Sequence, residues 1–133
     1  PALIRKLIEA KNKKKKSLNI HSLLVSELDK LKANNIVLID LKDKSPLADF
    51  MIIAAGNSSR HVNSMAQKSV QFLKDNKVKN ISIEGMKNSD WVLIDAGDVI
   101  LHLFQHETRE FYNLEKMWTH KGEAETILIG SEN

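Results

Sequence analysis

Cysteine is absent from this sequence, and proline, glycine and aromatic residues are scarce. The 133 residues include no Cys, two Pro and five Gly, and only 5% are Phe, Trp or Tyr. Without cysteine the chain can form no disulfide, thiolate zinc site, iron–sulfur cluster or thiol nucleophile, and a reducing compartment fits best. No apolar run exceeds six residues, whereas a membrane span needs about 20. The sequence therefore excludes a disulfide scaffold and predicts no membrane span.

The length and apolar content suit one folded domain. Hydrophobic residues make up 42% of the chain, and a chain of this length buries enough apolar surface to fold without covalent staples. No internal repeat or low-complexity block follows Lys16. We therefore expect one α/β domain over residues 18–118, between an N-terminal tail at 1–17 and a C-terminal tail at 119–133.

The net charge of +3 is divided unevenly along the chain. Residues 1–16 hold seven basic residues and one acidic residue, a net of +6, so the remainder carries +3 minus +6, which is −3. A solvated lysine run is most often a flexible linker, and the alternative is a tail that follows phosphate charge. We treat residues 1–17 as a basic tail of uncertain origin and expect it to be flexible. Nucleic acid is expected to be at most a secondary partner, contacted through this tail.

Apolar spacing predicts three main helices and a sheet of about five strands. The first helix ends at Asn34-Asn35, the second begins at Asn57 or Ser58, and the third covers residues 106–118. The segment 50–55 is apolar throughout, as expected of a central strand that is covered on both sides. The strands are expected at 36–41, 50–55, 81–84, 91–96 and 99–104.

The last two of these strands form a hairpin whose register is fixed by its turn. Gly97 and Asp98 make a two-residue loop in which the glycine suits the first position of a type II′ turn. Ala96 then pairs with Val99, and the face that contains this pair is wholly apolar and must be core. The opposite face mixes aromatic, aliphatic and charged groups, the composition of an interface centre. It pairs Asp95 with Ile100, Leu93 with His102 and Trp91 with Phe104.

Patterns for catalysis and metal binding are missing. The five histidines form no HExxH pair, and a metal site would need His102, His106 and a carboxylate brought together by the fold. Metal-dependent nucleotidyl transfer needs two carboxylates on one strand face, but Glu84 stands alone and Asp95 and Asp98 straddle a turn. We therefore predict no catalytic site, no metal and no cofactor.

The segment 56–61 is a candidate anion-binding loop. It runs from a strand into a helix whose first amides can hold an anion, with Ser58, Arg60 and His61 as the candidate binding residues. The loop matches neither the P-loop nor the dinucleotide-binding fingerprint, so a capping role for Asn57 or Ser58 is favoured. A nucleotide-binding or nucleotidyltransferase-like enzyme that uses this loop is the alternative function.

Several short motifs occur together in one order and spacing. They are Asp40, Lys44-Ser45, Ala48-Asp49-Phe50, Gly56-Asn57-Ser58-Ser59-Arg60-His61, Glu84-Gly85, Asp90-Trp91-Val92-Leu93-Ile94-Asp95, Gly97-Asp98-Val99-Ile100-Leu101-His102-Leu103-Phe104 and Arg109-Glu110-Phe111-Tyr112-Asn113-Leu114-Glu115-Lys116-Met117-Trp118. With this set the chain resembles the ribosomal silencing factor family, also called the Iojap family, over roughly residues 23–118.

The resemblance implies a mixed-sheet α/β domain with a nucleotidyltransferase-like fold that lacks the catalytic carboxylates. It also implies a protein that is not an enzyme. Family members bind the large ribosomal subunit through its protein number fourteen, sterically hinder joining of the small subunit and so repress translation when nutrients run short. They often form homodimers. We expect a cytoplasmic protein, with a mitochondrial or plastid matrix as the alternative location.

These implications make the mixed hairpin face the expected docking surface, although the chain's own third helix is an alternative cover. An acidic body also suits a basic ribosomal protein. Arg109 and Tyr112 flank the apolar stripe of the third helix and are expected to shape the same edge, while pairing on the helix surface is the simpler account. The expected partner-binding residues are Asp90, Trp91, Leu93, Asp95, His102, Phe104, Arg109 and Tyr112.

Overall fold

Two helices and one mixed sheet make up the computed structural model, which describes residues 20–106 and 125–129. Helix α1 is Ile20–Lys30 and helix α2 is Ser59–Asp75. The third helix, expected over residues 106–118, lies outside the described residues except for His106. The strands are β1 (Asn34–Asp40), β2 (Phe50–Gly56), β3 (Ser82–Glu84), β4 (Trp91–Asp95), β5 (Val99–Gln105) and β6 (Glu125–Ile129).

The six strands form one sheet in the order β3-β4-β5-β2-β1-β6. Strands β2 and β5 are parallel, and the other neighbouring pairs are antiparallel. The mixed α/β sheet predicted from the sequence is therefore confirmed, with one strand more than the expected five. The additional strand, β6, lies within the segment 119–133 that the sequence leaves as a tail. Its short apolar run gives little local signal, and its strand form depends on pairing with β1. The nucleotidyltransferase-like fold stays a prediction.

Helix α1 ends earlier than its sequence indicates, because its last turn closes on itself. The N–H of Ala33 donates to the carbonyl of Leu28 at 3.0 Å, and Lys32 takes a left-handed conformation with φ of 65°. This closure is the usual way in which a helix satisfies its final carbonyls. Asn34, predicted to end the helix, instead begins β1 and pairs with Ala55 of β2.

Helix α2 begins as predicted, with Ser58 as its N-cap. The Ser58 hydroxyl accepts a hydrogen bond from the N–H of His61 at 3.1 Å, which satisfies an amide that the helix leaves without a partner. Its buried stripe includes Val70, whereas Phe72 is only half-buried. The helix ends at Asp75, and Val78 donates back to the carbonyl of Leu73 at 3.0 Å.

Both helices pack on one side of the sheet, which we call the first face. Their buried residues join the inward side chains of β1, β2, β4 and β5 in a single apolar cluster that includes Leu28, Met65, Ile52 and Leu101. Strand β2 is buried along its whole length, which confirms the prediction of a central strand. The opposite side, the second face, holds a separate cluster. Its buried residues are Val37, Ile39, Leu41, Met51, Ile53 and Phe104, with Trp91 packed against them.

The predicted hairpin register is confirmed for all five pairs from Trp91 with Phe104 to Asp95 with Ile100. Gly97 has a φ of 85°, the left-handed value that a glycine adopts without a steric penalty. Because strand side chains alternate, this register sends Val92 and Leu103 into the first-face core and their neighbours to the second face. A shift of one residue would have exchanged the two faces.

Candidate interaction surface

Six side chains of the β4–β5 hairpin project from the second face and form what we call the hairpin face. The cross-strand pairs place an aromatic row at one end, an aliphatic–imidazole row in the middle and an acidic–aliphatic row at the other end. All six were expected on this face from the predicted register, and the expected partner-binding set includes five of them but not Ile100. The hairpin face consists of Trp91, Leu93 and Asp95 from β4 and of Ile100, His102 and Phe104 from β5.

An aromatic cluster organises the hairpin face. The indole Nε1–H of Trp91 donates to Nδ1 of His102 at 2.9 Å. The indole also stacks on Phe104, with ring centroids 5.0 Å apart and planes inclined by 25°. The His102 and Phe104 rings are stacked as well, with centroids 6.1 Å apart. The Trp91 side chain is thus fixed by one hydrogen bond and by ring contacts with His102 and Phe104. It therefore loses little conformational entropy when a partner covers it.

Burial keeps the imidazole of His102 uncharged. Its side chain is only 8% exposed, and desolvation lowers its pKa from the ordinary 6.5 to about 4. Because Nδ1 accepts the Trp91 hydrogen bond, the proton of the neutral ring is on Nε2. The centre of the hairpin face is therefore neutral at physiological pH.

Exposure increases across the second face toward β4. Ile53 and Phe104 are buried, whereas Trp91, Leu93 and Ile100 are half-buried. The half-buried side chains thus continue an apolar cluster instead of standing singly on a polar surface. The helix expected to provide an alternative cover lies outside the described residues, as do Arg109 and Tyr112. Cover by that helix and cover by a partner both remain predictions.

Two exposed carboxylates stand at opposite ends of the hairpin face and form its rim. Asp90 accepts a hydrogen bond from the side-chain amide of Gln105 at 2.8 Å. Asp95 accepts one from the backbone N–H of Gly97 at 2.9 Å and so supports the turn. Both remain accessible to solvent, so the rim adds negative charge to an apolar centre. The pairing with Gln105 had no local signal, since it depends on the register of β4 with β5.

The loop before α2 uses two of its candidate anion-binding residues for its own structure. Ser58 caps the helix, and Nδ1 of His61 accepts a hydrogen bond from the N–H of Asn57 at 3.0 Å. The His61 proton is therefore on Nε2, which lies 2.9 Å from the carbonyl of Leu31 and donates to it. These bonds join the start of α2 to the end of α1. Arg60 is exposed.

Over residues 20–106 and 125–129, no three His, Asp or Glu side chains come together in a way that could hold a metal ion. Neither α1 nor α2 is long and apolar enough to cross a membrane.

Comparison with known proteins gives one consistent family. A family model described as "Ribosomal silencing factor during starvation" matches residues 14–132, a span that includes β6. The chain is 50% identical over 96 residues to a ribosomal silencing factor of Zymomonas mobilis, covering 72% of each chain. It is also 36% identical over 100 residues to a mouse protein named for mitochondrial assembly of the ribosomal large subunit, covering 73% of this chain and 44% of that one.

Solved bacterial structures share the fold. A crystal structure from Bacillus halodurans superimposes with a TM-score of 0.71 at 33% identity, covering 84% of this chain and 99% of the other. A crystal structure from Chromobacterium violaceum gives a TM-score of 0.73 at 30% identity, covering 86% and 92% of the two chains. The similarity therefore covers more than four fifths of this chain and nearly the whole of each solved structure.

Proposed function

The chain belongs to the ribosomal silencing factor family, and from this premise we propose that it silences ribosomes by occupying the large subunit. The proposed docking partner is protein number fourteen of that subunit. A protein bound there hinders joining of the small subunit by steric overlap, so that translation falls when nutrients are limiting. The silencing is stoichiometric, with no chemical turnover.

The names of the relatives support the large subunit as the partner. The bacterial relatives are named as silencing factors, and the mouse relative is named for assembly of the large ribosomal subunit in mitochondria. Neither name describes an enzyme. The engagement of Ser58 and His61 by the backbone leaves the loop before α2 without an observation that favours nucleotide chemistry.

The hairpin face is the observation on which the proposed docking depends. Its half-buried indole, fixed by His102 and Phe104, is the kind of rigid aromatic side chain that dominates binding energies at protein interfaces. The exposed Asp90 and Asp95 complement a basic ribosomal protein and would accelerate encounter with it. We propose that Arg109 and Tyr112 extend the same edge.

The family resemblance also supports two wider proposals. We propose that the free protein forms a homodimer, and that self-association and ribosome binding share a surface. We further propose that it acts in a bacterial cytoplasm, because the bacterial relatives reach 50% identity and the mouse mitochondrial and Arabidopsis chloroplast relatives reach 36% and 31%. A mitochondrial or plastid matrix is the alternative.

The test is co-sedimentation of the full chain with purified large and small subunits. Trp91→Ala should raise the dissociation constant for large subunits by roughly 30-fold, which corresponds to the loss of about 2 kcal/mol expected of an interface hot spot. Leu93→Ala should weaken binding less, since it removes a smaller half-buried side chain from the same face.

A matched control is available in Leu47→Ala, which truncates a side chain that is 62% exposed and lies outside the hairpin face. It should bind like the native protein. Circular dichroism would verify that each variant is folded. Native-like binding by folded Trp91→Ala, or equal binding of the native protein to both subunits, would contradict the proposed docking.

A further inference from the structure

Two open grooves lie on either side of the first turns of α2, and we call them the α2 grooves. One has a volume of about 530 Å³ and runs along the end of α1; the other has a volume of about 420 Å³ and runs along the loop before β4. No carboxylate lines either groove within the described residues, whereas each contains basic side chains. These are Lys30, Lys32 and Lys68 in the first groove and Arg60 and Lys87 in the second.

The walls of both grooves are held by hydrogen bonds from α2. On one side His61 donates to the carbonyl of Leu31 at the end of α1. On the other, the amide of Asn63 donates to the carbonyl of Met86 at 3.2 Å and to the hydroxyl of Ser89 at 3.0 Å. The backbone positions from which the cations project are therefore fixed before any ligand binds, which reduces the entropic cost of binding.

The groove cations are open to solvent. All five are exposed, and none forms an ion pair with another described residue. Four of them project near the end of the sheet where β2 finishes at Gly56, and Lys68 lies further along α2.

The remaining groove side chains indicate which kind of anion would bind. Most are hydroxyls and amides, including Ser59, Gln67 and Asn88, and no Phe, Trp, Tyr, Asp or Glu side chain is among them. Together with Lys and Arg, these are the groups that contact phosphate and sugar in nucleic-acid complexes. An acidic protein partner would be expected to meet a larger apolar centre as well. The lining therefore favours a phosphodiester backbone over a protein.

We propose that the α2 grooves bind the RNA backbone of the large ribosomal subunit while the hairpin face binds its protein. This inference rests on the proposed function. The grooves flank α2 on the first face and the hairpin face lies on the second, so the two surfaces meet only at the end of the sheet where Ser89 lines one groove and is followed by Asp90 and Trp91. Binding of both would place the RNA and the protein of the subunit on either side of this end of the sheet, with the RNA contact independent of the basic tail.

The test compares two double variants of the full chain, each lacking two exposed positive charges. The groove variant is Lys32→Gln with Lys87→Gln, one from each groove, and the control is Lys44→Gln with Lys79→Gln, which line neither groove. Dissociation constants for purified large subunits and for a labelled 20-base-pair RNA duplex would be measured over a series of salt concentrations. The basic tail is common to all variants and cancels in the comparison.

The groove variant should lower the slope of log affinity against log salt by roughly 1 to 2, since each phosphate contact contributes about 0.7 to 0.9. It should also bind large subunits about tenfold more weakly than the control. Equal slopes for the two variants on both ligands would overturn the proposal. Weaker subunit binding with an unchanged salt slope and unchanged duplex binding would also overturn it, because the grooves would then be contacting protein.

Trp91→Ala separates this inference from the proposed function. If Trp91→Ala loses subunit binding while the groove variant matches its control, the docking by the hairpin face stands and the RNA contact is wrong. If the native protein fails to bind large subunits, both are wrong. Unfolding curves in urea should coincide for the two double variants, because all four lysines are exposed.

Discussion

The buried imidazole of His102 should make the protein lose stability as the pH falls from 7 to 4. Burial lowers its pKa in the folded protein from 6.5 to about 4, so between these values the unfolded chain binds more protons than the folded one. Stability therefore rises with pH across this window and is lost as the pH falls through it. The full difference corresponds to roughly 3 kcal/mol, since each pH unit is worth about 1.4 kcal/mol.

About 2 kcal/mol of this contribution should be lost between pH 7 and pH 5, where the unfolded histidine is protonated and the folded one is not. The substitution that isolates the contribution of His102 to stability is His102→Asn. Asparagine offers a carbonyl oxygen near the position of Nδ1, so it can still accept the Trp91 hydrogen bond but does not titrate. The variant should be less stable at pH 7 and should lose about 2 kcal/mol less than the native protein on going to pH 5.

The assay is urea unfolding of the native protein and the variant at intervals between pH 7.5 and pH 4.5, with circular dichroism as the signal. Other ionisable groups act equally in the two proteins, so the difference between the curves reports His102 alone. Proton NMR of the His102 ring should show no protonation above about pH 5. A constant difference in unfolding free energy across the pH range would refute the reasoning, because the imidazole would then titrate alike in the folded and unfolded states.

Two further predictions concern the backbone. Gly85→Ala should destabilise the protein by roughly 3 kcal/mol, because an added Cβ would lie 2.1 Å from the carbonyl oxygen of Trp91 at a φ of 91°. Gly97→Ala, with a φ of 85° and open space around it, should cost only about 1–2 kcal/mol, and equal losses in urea unfolding would contradict this account. Ser58→Ala should cost about 1 kcal/mol through loss of the helix cap, whereas exposed Ser59→Ala should change stability by under about 0.5 kcal/mol; similar losses for both serines would argue against the cap.

Local patterns determined the elements whose form depends on nearby residues. The hairpin register followed from side-chain alternation and a two-residue turn, both of which act over a few residues. The N-cap at Ser58 and the buried strand β2 were predicted for the same reason. The composition of the hairpin face could therefore be read before any tertiary contact was known, and so could the division of charge between the tail and the rest of the chain.

Only the tertiary structure decided which distant segments meet. Strand β6 exists through pairing with β1, about 90 residues earlier, and a short apolar run gives no local sign of that partner. The cations of the α2 grooves come from three segments, represented by Lys32, Arg60 and Lys87, so a charge count along the chain could not group them. The neutrality of His102 likewise comes from its surroundings, because desolvation depends on what the whole fold places around a group. The sequence thus determined the elements and the make-up of their faces, and long-range packing decided the charge and proximity of the side chains on them.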